Sequence, residues 1–177
     1  MHYKPEQDEN KHCEIIRILI QDGFDLNTQD NMGYAPVHIA AKNGHVQVLN
    51  LLYDWGVNIN ATDNYGYTLA HMAAREGNIN ALILLQKCEA DLNADSRYDG
   101  SPAHLAVKYG HVNVLNFLQE HRADMSAKNF WGETLAYTAV RNKYSVEMLK
   151  IIHQSSPDLD AESAGGQTPA HLAADVV

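Results

Sequence analysis

The 177-residue chain has few of the features that mark membrane, secreted or nucleic-acid-binding proteins. Its longest aliphatic stretch, Ala81–Leu85, is far shorter than the roughly 20 residues that a membrane-spanning helix needs. The N-terminal segment has no apolar stretch of the kind found in signal peptides. Only two cysteines occur, Cys13 and Cys88, which predicts free thiols in a reducing compartment. The net charge of -9 disfavours general attraction to nucleic acid or anionic lipid.

What the chain does contain is an internal repeat. Histidine recurs at intervals of 33 residues, at His38, His71 and His104. Tyr137 takes the next place at the same interval, and His171 follows it after 34 residues. Two aliphatic series keep the same phase: Leu19, Leu52, Leu85, Leu118 and Ile152, with Ile16, Leu49, Leu82, Leu115 and Leu149 beside them. A polar series marks the connecting loops: Asn27, Asn60, Asn93, Ser126 and Asp160. Self-similarity at a fixed period indicates a repeat architecture.

Each unit has the pattern of a turn followed by two short helices. Glycines that suit tight turns precede the first helix: Gly33, Gly66, Gly132 and Gly166. In SPAH and TPAH a capping Ser or Thr stands before a proline at the first helical position. Three glycines predict left-handed caps at the end of that helix: Gly44, Gly77 and Gly110. The second helix is apolar on one side, so the units must stack to bury a common core.

The period, the turn with two helices and the T-P-x-H-x-A signature resemble those of ankyrin repeats. The resemblance covers residues 13–177 and implies an all-α solenoid of stacked helix-turn-helix units with β-turn or hairpin loops. It divides a single domain, 1–177, into a partial unit, four full units and a last partial unit: 1–29, 30–62, 63–95, 96–128, 129–162 and 163–177. The stop at Val177 after one helix of the last unit predicts either an excised fragment or a degenerate cap.

Two units depart from the pattern. Ala35 replaces the capping Ser or Thr, at an expected cost of about 1 kcal/mol. The fourth full unit has Leu135 in place of proline, Tyr137 in place of histidine and no glycine at the end of its first helix. One extra residue falls near Asn142–Tyr144, which predicts an irregular turn between its two helices.

Catalytic and metal-binding interpretations are weak. The resemblance implies that the repeat histidines are hydrogen-bond brackets near their turns, and His45 and His111 also have a structural position. Identical residues spaced one repeat apart do not come together around one metal ion, and the sequence has no HExxH or CxxC cluster. Ser101 precedes His104 by three residues, but its oxygen is expected to cap backbone N–H groups. We therefore expect no catalytic residue, metal or cofactor, and no enzymatic activity.

Three asparagines follow a leucine by eight residues: Leu19/Asn27, Leu52/Asn60 and Leu85/Asn93. This spacing resembles the substrate pattern of ankyrin-directed asparaginyl hydroxylases, and it makes Asn60, Asn27 and Asn93 candidates for hydroxylation. The alternative is that each asparagine only stabilises its loop.

The resemblance also implies a concave recognition face, formed by the turn tips and the exposed ends of the first helices. Twenty positions carried over to this face include seven aromatic, five basic and two acidic residues, so it has a charge of +3 and the remainder has -12. The positions expected to contact a partner are Met32, Tyr34, Lys42, Tyr65, Tyr67, Arg75, Arg97, Tyr98, Lys108, Tyr109, Phe130, Trp131 and Arg141. Aromatic residues and arginine are enriched at binding hot spots. A basic residue at a helix end can instead simply complement the helix dipole.

The leading functional hypothesis is a monomeric protein-interaction module that binds an extended acidic or mixed segment of another protein. The alternative is a targeting domain of a larger enzyme or secreted effector whose catalytic part lies outside this chain. Neither hypothesis involves nucleic acid or membrane insertion. The expected location is intracellular and most simply cytoplasmic. A nuclear location also fits, as does the host cytosol for a bacterial effector.

Overall fold

The computed structural model describes residues 5–142, 146–155 and 159–175 as a stack of short helices. The helices are α1 (Pro5–Gln21), α2 (Pro36–Asn43), α3 (Val46–Asp54), α4 (Leu69–Glu76), α5 (Ile79–Lys87), α6 (Pro102–Tyr109), α7 (Val112–Glu120), α8 (Leu135–Arg141), α9 (Val146–Ser155) and α10 (Pro169–Asp175). No strand forms within these residues, although isolated bridges close three turns: Thr62 with Thr68, Ser96 with Gly100 and Lys128 with Thr134. The expected all-α repeat fold is confirmed.

The helices form two parallel rows. The inner row contains α2, α4, α6, α8 and α10, each packed against the next, and the outer row contains α1, α3, α5, α7 and α9. From α2 onward, each inner helix up to α8 also packs against the outer helix that follows it in sequence. None of the helices in the described parts of the chain is long and apolar enough to cross a membrane.

The core lies between the rows and follows the aliphatic series. Leu52, Leu85 and Leu118 are fully buried, whereas Leu19 of α1 is 37% exposed. Leu19 differs because no inner helix precedes α1 in the described chain, so one side of α1 has no neighbour to cover it. The series therefore predicts the buried side of each outer helix correctly, and Leu19 is the exception that lies at the end of the stack.

Local signals set the helix ends as expected. Gly44, Gly77 and Gly110 end their helices in the left-handed conformation, with φ between 69 and 82°. The α8 helix ends instead at Asn142, with a φ of -90°. The irregular turn predicted near Asn142–Tyr144 falls mainly on residues 143–145, which lie outside the described residues.

Candidate functional site

The buried histidines connect each turn to the next unit. The Nδ1 atoms of His38, His71 and His104 accept from the backbone N–H of the residue before their own helix, over 3.0, 3.1 and 3.2 Å. Nε2 of His71 and of His104 donates to a carbonyl oxygen of the following unit over 2.8 and 3.2 Å, and Nε2 of His38 donates to the Ala61 carbonyl oxygen, at the end of its own unit, over 3.2 Å. Burial lowers the pKa of all three rings, and that of His71 falls to about 4. The structural interpretation of these histidines is confirmed.

The cap at Ser101 is part of a capping box with His104, in which the Ser101 side chain faces the backbone N–H of His104. The Ser101 hydroxyl also lies 3.1 Å from Nδ1 of His104. The same ring accepts the backbone N–H of Ser101, and its other nitrogen bonds to the Glu133 carbonyl. Both ring nitrogens are therefore occupied, Nδ1 by bonds within the unit and Nε2 by the bond to the next unit.

A second set of side chains connects the ends of the inner helices. Nε2 of His111 lies 2.9 Å from the Arg75 carbonyl oxygen. The Asn78 amide, one unit earlier, donates to the carbonyl of Lys42 over 2.5 Å. Sequence reasoning identified His111 as structural but did not single out Asn78. The signal for Asn78 was its position directly after the helix-ending Gly77, which matches that of His111 after Gly110.

Cys13 and Cys88 form no disulfide with each other, as expected, and both side chains are buried. His12 is exposed and its ring lies 5.5 Å from that of His45, whereas Cys13 is buried. Burial raises the pKa of the Cys88 thiol, with a smaller contribution from the Asp54 charge. No group of three or more His, Cys, Asp or Glu side chains that could hold a metal occurs over residues 5–142, 146–155 and 159–175.

The predicted partner-contacting aromatics separate into two groups. The turn tips carry solvent-exposed side chains: Met32, Tyr65, Tyr98, Phe130 and Trp131. At two successive tips the rings meet edge to face, with centroids 5.6 Å apart for Tyr98 and Phe130 and 5.0 Å apart for Phe130 and Trp131. Such contacts fix the orientation of the rings while leaving much of their surface open to solvent.

Backbone hydrogen bonds run from tip to tip. Each bond joins a backbone N–H of one tip to a backbone carbonyl oxygen of the tip before it, over 2.9 to 3.3 Å: Asn64 to Met32, Arg97 to Tyr65, Phe130 to Tyr98 and Ala164 to Trp131. Asp30, Asp63 and Asn129 stabilise their turns because one side-chain oxygen of each accepts two backbone N–H groups further along. A side chain at Gly132 would place Cβ 2.8 Å from the Ala164 nitrogen, so this turn requires glycine. The tips therefore form one connected row.

Tyr34 and Tyr67 belong to the second group, because both are half-buried and pack against the core. The Tyr67 hydroxyl donates to the Asp99 carboxylate, and burial with this hydrogen bond raises the pKa of Tyr67. These two tyrosines, which the sequence assigned to the partner-contacting face, therefore also contribute to packing within the fold. Tyr109 is exposed and has the Arg75 guanidinium 5.4 Å from its ring centroid.

Three of the four cations at the helix ends are paired within the chain. Lys108 lies 2.7 Å from Asp99, Arg141 pairs with Glu133, and Arg75 lies 3.8 Å from Glu76. Burial alone would raise the pKa of Asp99, but the hydrogen bonds from Lys108 and Tyr67 lower it overall. No ion pair joins Lys42 to any residue that the structure describes.

Asp99 was missed by the sequence reasoning. Asp99 occupies the position at which the other units have the turn glycines Gly33, Gly66 and Gly132. In this unit the residue with a positive φ is instead the next one, Gly100, at 76°. The substitution of a carboxylate for a turn glycine was the available signal. Counting Asp99 lowers the positive charge of the face below the value obtained from the sequence.

The candidate hydroxylation sites lie in exposed loops. The side-chain oxygen of Asn60 accepts the backbone N–H of Asp91 over 2.9 Å, and that of Asn93 accepts the N–H of Asp124 over 2.7 Å. The backbone N–H of Asn27 donates to the Asp25 carboxylate over 2.8 Å. A loop-stabilising role is therefore present at Asn60 and Asn93, and hydroxylation stays a prediction.

Paired helices in two rows, turns joined tip to tip and histidine bridges between units define a helical repeat solenoid. Three copies of the family model for ankyrin repeats match residues 8–63, 60–129 and 103–176. The chain belongs to the ankyrin repeat family. Comparison with curated proteins finds no match.

Proposed function

We propose that this chain binds a partner protein through the row of turn tips and the adjoining ends of the inner helices, which together form its recognition face. Ankyrin repeats are generally protein–protein interaction modules. The partner would present an extended acidic or mixed segment, as the sequence suggested. The solenoid would act as a monomeric intracellular domain, divided into units at the boundaries given above, with no catalytic step, cofactor or nucleic acid involved.

The observation that carries this proposal is the connected row of exposed aromatic tips. Tyr98 is 43% and Trp131 is 54% exposed, yet their backbones are tied to the neighbouring turns. An aromatic anchor that is already fixed loses little conformational freedom on binding, so more of its contact energy appears as affinity. Large apolar side chains held in solvent in this way suit partner contact better than they suit the fold.

The experiment compares two aromatic pairs of matched exposure. Tyr98→Ala with Trp131→Ala removes the tips, and Tyr53→Ala with Trp55→Ala removes side chains that are 41% and 56% exposed at the end of outer helix α3. A partner is first captured from a lysate by the wild-type chain and then purified and titrated. We expect the tip pair to weaken binding by about 2 kcal/mol or more, on the scale of a hot-spot loss. Both variants should keep wild-type circular dichroism, and equal losses for the two pairs would place recognition elsewhere.

Charge reversal tests the electrostatic part of the proposal. Arg75→Glu with Lys108→Glu should slow association, because exposed charges mainly steer the encounter, and added salt should reduce the effect. Glu89→Lys with Glu120→Lys, at the ends of the outer helices, is the control. If the control slows association and the reversal at Arg75 and Lys108 does not, the charged side of the interface has been misplaced.

A further inference from the structure

A hollow of about 280 Å³ opens at the end of the row of tips. It is lined by Trp131, Glu133, Tyr137, Arg141, Gln167 and the turn at residues 163–165. The hollow exists because the last turn has glycine at the position that holds Met32, Tyr65, Tyr98 and Trp131 in the earlier turns. Beyond Trp131 no large side chain follows at the next tip.

Two residues in which the fourth unit differs from the repeat pattern, Tyr137 and Glu133, line this hollow. Tyr137 takes the place of the bridging histidine, and its hydroxyl donates to the side-chain oxygen of Gln167 over 3.1 Å. Glu133 occupies the position of Tyr67 and Gly100, and its side chain is buried beneath Arg141. These departures leave the stack intact, since α8 still packs against α6 and α10. They change the surface of the face instead.

The Arg141–Glu133 ion pair in the hollow differs from the other ion pairs on the face in how much of each side chain is exposed. Arg141 has 43% of its side chain exposed, whereas its partner Glu133 has only 7%. In the Lys108–Asp99 pair the values are 33% and 26%, and in the Arg75–Glu76 pair they are 39% and 40%. A ligand approaching Arg141 therefore meets the cation with its counter-charge covered, and the other two pairs present both charges together.

The buried carboxylate also orients the guanidinium. Glu133 holds one Nη of Arg141 and accepts the Asn129 amide through its other oxygen over 2.8 Å. The other N–H groups of the guanidinium donate to no residue in the described part of the chain, and this planar fork matches a carboxylate in a bidentate arrangement. Trp131 supplies an apolar wall beside it.

We propose that this hollow is the anchoring subsite of the recognition face and that it takes two adjacent residues of a partner segment. An aspartate or glutamate pairs with Arg141, and a bulky apolar side chain next to it packs against Trp131. The inference rests on the proposed function and narrows its acidic or mixed segment to a carboxylate beside an apolar residue. Charge complementarity with the uncovered cation selects this occupant.

The test selects ligands without knowing the partner. A library of random linear peptides displayed on phage is panned against the immobilised 177-residue chain. Enriched peptides should carry an acidic residue next to a bulky apolar one. One such peptide is then synthesised with a fluorescent label, together with an analogue in which the acid is replaced by its amide, and both are titrated by fluorescence polarisation.

Matched double variants assign the acid preference. Glu133→Gln with Arg141→Gln removes both charges, so no buried carboxylate is left unpaired. This double variant should lower the affinity for the acidic peptide by about tenfold or more and leave the affinity for the amide analogue unchanged. Arg141→Lys should retain part of the preference, because lysine keeps the charge but loses the fork. Lys87→Gln with Glu89→Gln is the control, because it also removes one charge of each sign but lies at the end of outer helix α5, and it should change the affinity of the acidic peptide less than about threefold.

Three results would overturn the inference. The control double variant could weaken binding of the acidic peptide as much as the double variant at Glu133 and Arg141 does. The double variant at Glu133 and Arg141 could leave that affinity unchanged, or the enriched peptides could lack an acidic residue. If these peptides still lose affinity with Tyr98→Ala and Trp131→Ala, the proposed function stands and only the subsite is wrong. If that aromatic variant binds them as tightly as wild type does, the recognition face itself is wrong.

Discussion

Acid should destabilise this solenoid through His71 before the carboxylates titrate. The ring is fully buried and its pKa is lowered to about 4 in the folded chain, against an ordinary value of about 6.5. Because the folded state holds the neutral ring, the stabilisation is complete above about pH 6.5 and is lost as the pH falls towards 4. Between about pH 6.5 and pH 5, His71 alone should reduce the free energy of unfolding by about 2 kcal/mol.

Urea denaturation at a series of pH values measures this loss, and NMR titration of the imidazole gives the pKa directly. His38 and His104 have lowered pKa values for the same reason and add to the loss. His71→Gln keeps one donor and one acceptor without titrating in this range, so its pH-dependent loss should be smaller by about 2 kcal/mol. His153→Gln, at an exposed position, should keep the wild-type slope. A wild-type stability that is flat from about pH 6.5 to pH 5, or a His71 that titrates at its ordinary pKa, would refute the reasoning.

Three further predictions concern the core, metals and modification. Leu85→Ala, at a fully buried position between α3 and α7, should lower the free energy of unfolding by roughly 2–5 kcal/mol in urea melts, and a change within about 0.5 kcal/mol would be inconsistent with burial. A chelator should leave the thermal midpoint unchanged, and a stoichiometric metal seen by native mass spectrometry and lost together with the fold would contradict this. Incubation with an asparaginyl hydroxylase should add one oxygen to Asn60 in preference to Asn27 and Asn93, and peptide mapping without a mass shift on any of them would end that hypothesis.

The sequence was sufficient for features that are encoded within one unit. The helix-ending glycines, the proline at the start of α6 and the histidine after its cap residue act through neighbours a few positions away. Their spacing therefore predicts helix ends, buried sides and the histidine brackets. The repeat supplied the rest of the fold, because a unit that recurs in phase must stack in the same way each time.

Features that depend on how many neighbours an element has could not be predicted in this way. Leu19 keeps the phase of the buried series, but phase does not show that α1 lacks an inner helix beside it. The pairing of Lys108 with Asp99 and the covering of Glu133 by Arg141 depend on side chains that reach across a turn. Their aligned positions assigned Lys108 and Arg141 to the recognition face in the same way, whereas the acids paired with them differ in exposure, at 26% for Asp99 and 7% for Glu133.

The hydrogen bonds from each tip to the carbonyl oxygens of Met32, Tyr65, Tyr98 and Trp131 use only backbone atoms. Any amino acid could supply the carbonyl oxygens that accept these bonds at positions 32, 65, 98 and 131. Changing one of these side chains alters what the surface can hold without removing a bond that joins the turns. On the proposed function, single substitutions at the tips would therefore change specificity while keeping the hydrogen bonds that join the turns.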